Sequence, residues 1–465
     1  MTPPTVLLIL SFLIPLTCSL SPAGEPGRLE EYRTVARRLL EAALRDGEAY
    51  AMLQELTARA PQRLSGSAGA DSAVIATKRM MESRGFDRVR VEPVMVPRWV
   101  RGPVEKAEIL IPGRRPISLA VCALGGSVAT PEKGITAEVV EVKSFDELHA
   151  LGTGARGKII FFNRPMDPSK LNTFEAYGGA VDQRVRGAVE SAEAGGVAAL
   201  VRSVTLSSDD VPHTGAMGYK EGSPQVPAAA VSVRGANMLS DFLKKGARVR
   251  LRIRLSCATL PDVPSSNVMG EIRGCERPEE VIVIGGHLDS WDKGAGAHDD
   301  GAGCIQAIDV VSLIRRLNLM PKRTIRAVMF MNEENGLRGG KAYAAAPERS
   351  TEKHIAMIES DRGAFAPRGL TVQADSLSLE KVRLWRSLFE GLNAGRIEKG
   401  GSGADVSAMV GKGVPGFGLD VENHRYFDYH HSANDTIDKV NPRELEMGVV
   451  VLALLCYILA QEGIG

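Results

Sequence analysis

The stretch Val281-Ile282-Val283-Ile284-Gly285-Gly286-His287-Leu288-Asp289, followed closely by Gly296-Ala297-His298-Asp299-Asp300-Gly301, decides how this chain folds. The first part is a short apolar run of β-branched residues that stops at a histidine and an acid, which predicts a buried strand ending at His287. The second is an acidic loop bounded by glycines, and residues 303–317 after it predict a helix. The pattern then repeats. Residues 324–331 predict a strand ending at Asn332-Glu333-Glu334, and residues 355–358 predict one ending at Asp361. Alternating strands and helices predict an α/β fold with a mainly parallel central sheet flanked by helices. Such sheets bind ligands at the carboxyl ends of their strands, where three polar clusters are expected.

Working outward, residues 30–60 and 72–83 read as helices and residues 89–94 as a strand. The same texture resumes at Val268-Met269-Gly270-Glu271-Ile272. Between them, residues 104–260 hold short strands, Gly/Pro turns and one helix near residues 183–194. The chain therefore divides into a signal peptide over 1–23, the N-terminal part of the main domain over 24–103, an inserted β-rich domain over 104–260, and the larger part of the main domain over 261–465. The start of the second segment is a candidate pro-segment.

The apolar run over residues 6–16, followed by small residues near Ala23-Gly24, predicts a cleaved secretory signal. The protein is then secreted or lumenal, with lysosome and periplasm both open. No stable membrane span is expected: the apolar run over 447–460 is shorter than a span and reads as a buried helix. Lys+Arg is 57 against Asp+Glu 56, a net charge of +1, so there is no basic excess to hold a nucleic acid. Cleavage removes Cys18 and leaves five cysteines without a CxxC pair, so a cysteine-held zinc is not expected. Cys257 and Cys275 are near enough in sequence to bridge neighbouring strands. Gly152-Thr153-Gly154-Ala155-Arg156-Gly157 matches a dinucleotide fingerprint, but it precedes a strand instead of following one and reads as a turn.

His287, Asp299, Glu333, Glu334, Asp361 and the pair His430-His431 supply the donors that two metal ions need, together with a spare carboxylate to move a proton. Charge balance agrees. Asp299, Glu334 and Asp361 carry three negative charges against four positive, and a shared hydroxide brings the site to neutrality. Without metal these carboxylates would repel one another. Each piece alone is weak, since a lone His287 is more often structural. Asp289 either orients His287, as outer carboxylates do, or caps a turn. Gly400-Gly401-Ser402-Gly403-Ala404-Asp405 reads as part of a substrate pocket or as a helix-entry loop capped by Asp405, and His213 as a cleft or a structural histidine. The joint order of the clusters at strand ends carries the argument.

The set resembles the co-catalytic zinc exopeptidases that include bacterial aminopeptidases and glutamate carboxypeptidase. Besides the metal clusters, Pro61-Gln62-Arg63-Leu64-Ser65-Gly66-Ser67, Gly134-Ile135-Thr136-Ala137-Glu138-Val139 and Ser144-Phe145-Asp146-Glu147-Leu148 carry the resemblance over nearly the whole mature chain. It implies two zinc ions per chain. Asp299 would bridge them, His287 and Asp361 would complete one, and Glu334 and His431 the other. His431 is implied over His430 by the spacing His431-Ser432-Ala433-Asn434-Asp435-Thr436. Glu333 would be the general base, with Asp289 beside it in the catalytic set, and the Asp299–Asp300 peptide would be cis. The inserted domain resembles a protease-associated domain over the cleft. The implied activity is hydrolysis of dipeptides or short peptides of carboxypeptidase or dipeptidase type, by a homodimer. The alternatives are an aminopeptidase on the same site, a non-catalytic receptor-like ectodomain and a one-zinc cyclising enzyme. The complete ligand set speaks against the last two.

Overall fold

The computed structural model describes residues 25–464. The segment expected as a signal over residues 1–23 lies outside them. Eight strands form the main sheet: β1 Asp87–Val100, β2 Ala258–Ile272, β3 Arg277–His287, β4 Arg323–Phe330, β5 Lys353–Glu359, β6 Pro367–Gln373, β7 Arg396–Lys399 and β8 Gly416–Val421. Their spatial order is β1-β2-β4-β3-β5-β8-β6-β7. The centre, β4-β3-β5-β8, is parallel throughout, while β1, β2 and β6 pair antiparallel.

Strand alternation explains the layers. Ile282 and Ile284 point into a core shared with the helices Glu25–Asp46, Ala49–Arg59, Ala302–Arg316 and Pro442–Glu462. Val281 and Val283 point to the opposite face and meet Phe330, Tyr343, Val406 and Met409. Both faces are covered, so the strand reads as one apolar run instead of alternating with polar residues.

Three expectations change. The helical stretch at residues 30–60 is two helices, broken after Asp46. The C-terminal helix runs from Pro442 to Glu462, 21 residues, longer than its apolar run suggests. By length and composition it passes as a membrane span, yet 83% of its most apolar window is buried. Asn441 caps its first amides, and Arg323 donates to the Ala460 and Gln461 carbonyls at its end. Cys257 is a buried free thiol and does not pair with Cys275. The 15-residue strand β2 lies between them and holds the two apart by up to about 50 Å.

The chain leaves the main sheet at Val100 and returns at Ala258, where the two residues pair. All eight strands of a second sheet lie between Glu105 and Leu255. Four consecutive strands of it, Ile135–Val142, Ile159–Phe162, Ala198–Arg202 and Ala228–Val231, are parallel. This lobe carries its own apolar core, into which Trp291 of the main chain trace also packs.

Candidate metal centre

Parallel strands in register end at one edge. Gly286 pairs with Met329 and Gly285 with Glu359, so the ends of β3, β4 and β5 lie level. His287 is the last residue of β3. Glu333 and Glu334 follow β4, Asp361 follows β5, and His431 follows the short helix Tyr426–Tyr429 after β8. Asp299 sits in the turn Ala297–Gly301, directly before the helix Ala302–Arg316.

These side chains converge. The Asp299 carboxylate divides its oxygens between two imidazoles: Oδ1 lies 3.1 Å from His287 Nε2, and Oδ2 lies 3.3 Å from His431 Nε2. On one side, His287 Nε2 is also 3.4 Å from Asp361 Oδ1. On the other, His431 Nε2 is 3.0 Å from Glu334 Oε2. His430 stacks on His431 with ring centres 3.5 Å apart, and its Nε2 stands farther off, 3.8 Å from Asp299 Oδ2. Ligand atoms of His287, Asp299 and Asp361 all lie within 4.8 Å of one another, as do those of Asp299, His430 and His431.

A surrounding layer holds the centre in place. His287 Nδ1 meets the Asp289 carbonyl at 2.9 Å, so the main chain of Asp289, not its carboxylate, orients this ring. The Asp289 carboxylate instead accepts from the amides of Asn332 and Glu333, at 2.7 and 3.0 Å, and fixes the turn that presents Glu333. Trp291 N–H donates to Glu334 Oε1 at 3.1 Å. Asp300 accepts from the amides of His287 and Gly303. Asp435 accepts from those of His298 and Asp299, at 2.7 and 3.1 Å. The Asp299–Asp300 peptide is cis. Arg63, fully buried, donates to the carbonyls of Leu288, Ala295 and Gly296 and ties down the loop between β3 and Asp299.

The electrostatics describe a site short of positive charge. Burial pushes the Glu333 carboxyl up to about 8, against the pull of His287 and with help from Asp361 and Asp289. Burial and Asp299 together hold Glu334 well above the carboxylate range, and burial also raises Asp361. Asp299 Oδ2 and Asp361 Oδ1 are buried and accept no hydrogen bond. Clustered acids with open lone pairs, beside the imidazole of His287 whose remote nitrogen meets a carbonyl, fit divalent cations that take nitrogen and oxygen donors. In front of them lies a cavity of about 250 Å³, with Glu333, Tyr177, Arg184, Tyr426 and Phe427 among its lining residues.

Sequence reading missed several members. Arg184 and Tyr177 come from the lobe and carry no motif. Asp300 and Asp435 act through amides that only the folded turn brings to them. His213 is structural here: its Nδ1 lies 2.7 Å from the His430 carbonyl, and the Thr214 amide donates to the His431 carbonyl at 2.9 Å. Asp405 is buried with both oxygens unpartnered. It caps no helix, because Val406 is the N-cap of Ser407–Val410 and has no capping side chain.

A layered α/β fold with acids and imidazoles gathered at the carboxyl edge of its parallel strands defines a class, the metal-dependent hydrolases. Residues 267–455 match the model of peptidase family M28. The chain is 35% identical to carboxypeptidase Q of Bos taurus over 435 residues, 93% of this chain and 90% of that one. It is 36% identical to carboxypeptidase Q of Homo sapiens, covering 92% and 89%. A crystal structure of a peptidase M28 precursor from Shewanella amazonensis SB2B superposes with a TM-score of 0.89 at 36% identity, covering 93% of this chain and 98% of that one. The chain belongs to peptidase family M28 and is an enzyme of the peptidase class.

Proposed function

We propose that this protein is a secreted or lumenal di-zinc exopeptidase that hydrolyses dipeptides or short peptides, of carboxypeptidase or dipeptidase type. The carrying observation is the divided carboxylate of Asp299, with one oxygen toward each imidazole. In this reading His287, Asp299 and Asp361 hold one ion, and Asp299, Glu334 and His431 the other. The donor set of two imidazoles and three carboxylates suits zinc. When bound, such a pair polarises the scissile carbonyl and makes water a nucleophile near neutral pH.

The chain's own residues do the rest. Glu333 lines the cavity, and the Asn332 and Glu333 amides that Asp289 holds fix its turn. With the ions in place, the Glu333 carboxylate takes a proton from water and returns it to the leaving amine. His430, Tyr426 and Phe427 wall the cavity and narrow the space open to water. Residues 104–260 act as an inserted domain of protease-associated type that closes one side of the cleft. The resemblance also supports a homodimer, which the mass in solution reads directly.

The test is a panel of unblocked, N-blocked and C-blocked dipeptides, with wild type and Glu333→Gln and with zinc measured on the same samples. About two zinc per chain, and kcat lower by about 10²–10⁴ in the variant with its metal kept, is the expected result. Cleavage of C-blocked but not N-blocked substrates would make it an aminopeptidase. Metal without turnover of any substrate would point to a receptor-like ectodomain, and a metal-free protein would end the reading.

A further inference from the structure

The inserted lobe turns one face of its sheet to solvent. Along Arg250–Leu255 the side chains alternate: Leu251, Ile253 and Leu255 enter the lobe's core, and Arg250, Arg252 and Arg254 face outward. Successive outward residues of a strand stand about 7 Å apart, so the three guanidiniums line about 14 Å of one strand. The antiparallel neighbour Glu105–Leu110 turns Lys106 and Glu108 to the same side, and Ile135–Val142 adds Thr136 and Glu138. Ser118 pairs with Glu108 at the sheet edge.

Charge on this face is unbalanced. Glu108 is taken by Arg252 at 2.9 Å, and Glu138 faces Lys158 at 3.9 Å. Arg250 donates to the Thr136 carbonyl at 3.0 Å. Lys106 and Arg254 are exposed, and neither pairs with a carboxylate of a described residue. The two are register partners across the ladder, and like charges directly opposite one another destabilise a sheet. The fold still makes room for them. Gly134 has φ +78°, and a Cβ there would lie 2.5 Å from Arg254 Cγ, so its absence lets Arg254 lie across the start of the next strand. With a net charge of only +1 on the whole chain, this cationic face is a local feature, and an external anion is what relieves it.

The surroundings decide the kind of anion. These strands, with the edge strand Ile117–Leu119, contain no aromatic side chain on which a base could stack. None of the exposed large apolar side chains of the described residues lies on them, so nothing there would enter a lipid layer. The hydroxyls of Ser118 and Thr136 stand among the cations instead, suited to sugar hydroxyls, and planar guanidiniums suit sulfate and carboxylate. We propose that this face of the lobe binds a linear anionic glycan bearing sulfate or carboxylate groups. None of its residues lines the cavity before the metal centre, so a bound glycan leaves that cavity open.

The experiment measures binding of the full chain to heparin, to neutral dextran and to phosphatidylserine vesicles, at about 50 and 200 mM salt. Lys106→Gln/Arg254→Gln is compared with Arg45→Gln/Arg79→Gln, an equal change of charge at exposed positions on the helices Glu25–Asp46 and Ala68–Ser83. Wild type should bind heparin and not dextran, and lose about tenfold or more in affinity over that salt range. Lys106→Gln/Arg254→Gln should bind heparin about tenfold or more weakly. Its kcat/KM on a dipeptide should stay at the wild-type value, and its melting temperature should hold or rise, because a like-charge pair is gone. The control should bind as wild type does. A wild type that ignores heparin at low salt overturns the proposal, as does equal weakening in both double variants or undiminished binding by Lys106→Gln/Arg254→Gln. Vesicles bound as tightly as heparin would make the face a lipid surface and overturn it too, and a lower melting temperature would mean that the pair serves the fold instead. Binding and turnover are read separately, so a chain that binds heparin and cleaves nothing fails only the peptidase reading.

Discussion

His430 and His431 are adjacent, stacked and both buried, yet they are placed for different work. His431 Nε2 faces Glu334 and Asp299 together, while His430 Nε2 approaches Asp299 only at 3.8 Å. His431 adopts φ +61°, a left-handed conformation that turns its ring away from the direction a regular chain would give. His213 and Thr214 of the lobe hold the two carbonyls of this bend. His431→Ala should therefore lose about one zinc per chain and at least a hundredfold in kcat/KM, whereas His430→Ala keeps both ions and loses about tenfold or less. Metal analysis with the rate on one dipeptide checks this, and equal metal loss in both variants would assign the ligand wrongly.

At the scale of elements, the helices Ala302–Arg316 and Pro442–Glu462 bury two acids between them. Asp309 is inaccessible and both its oxygens lack hydrogen bonds; Arg316 Nη2 reaches only to 3.7 Å. Glu446 accepts from the Ala49 amide at 2.9 Å and leaves its second oxygen unpartnered. Glu48 and Arg84 complete the local charges. Burial lifts Asp309 to about 6 and Glu446 to about 7, each raised further by a neighbouring acid. The folded state keeps protons that the unfolded chain releases above about pH 4. This stability is fully present below pH 4 and is lost as pH rises through 6 to 7. Unfolding free energy should thus decline between pH 4.5 and 7, by on the order of 2–3 kcal/mol from Asp309 alone. Asp309→Asn should flatten that slope in urea titrations at several pH values, and an unchanged slope would clear Asp309 of the effect.

At the scale of the molecule, the two sheets are built into each other. Trp291, from the loop between β3 and Asp299, packs in the lobe's core at 6.3 Å from Trp99, and Gly125 leaves room for its ring. Arg101 binds Asp292 through two nitrogens, Lys293 reaches Glu105, and the Thr205 hydroxyl donates to the Phe427 carbonyl. The lobe supplies one wall of the site through Tyr177, Arg184 and Ala216. Trp291→Ala should cost about 3–5 kcal/mol and lower kcat at the same time, because the indole seated in the lobe's core positions the loop whose main-chain amide donates to Glu334. A destabilised variant with full kcat would uncouple the two. Chelation should act on the whole molecule as well. Removing zinc restores repulsion among Asp299, Glu334 and Asp361, and the melting temperature should fall by several degrees and recover on adding zinc back. No shift would mean that the carboxylates are stable without cations.

The sequence by itself determined the parallel strands, their order along the chain and the residues at their carboxyl ends. Apolar runs that stop at His287, Glu333-Glu334 and Asp361 are local signals, and parallel strands necessarily bring such ends to one edge. It also marked residues 104–260 as different in texture. What only the tertiary structure decided depends on contacts between segments far apart in the chain. Asp289 was legible as an acid beside a histidine, but its carboxylate serves the turn after β4, 43 residues away. Arg184 stands 247 residues from His431 and has no motif, because a buried cation shows itself only by what surrounds it. The C-terminal helix has the composition of a membrane span, and only its packing between the sheet and the first two helices shows where its apolar surface goes.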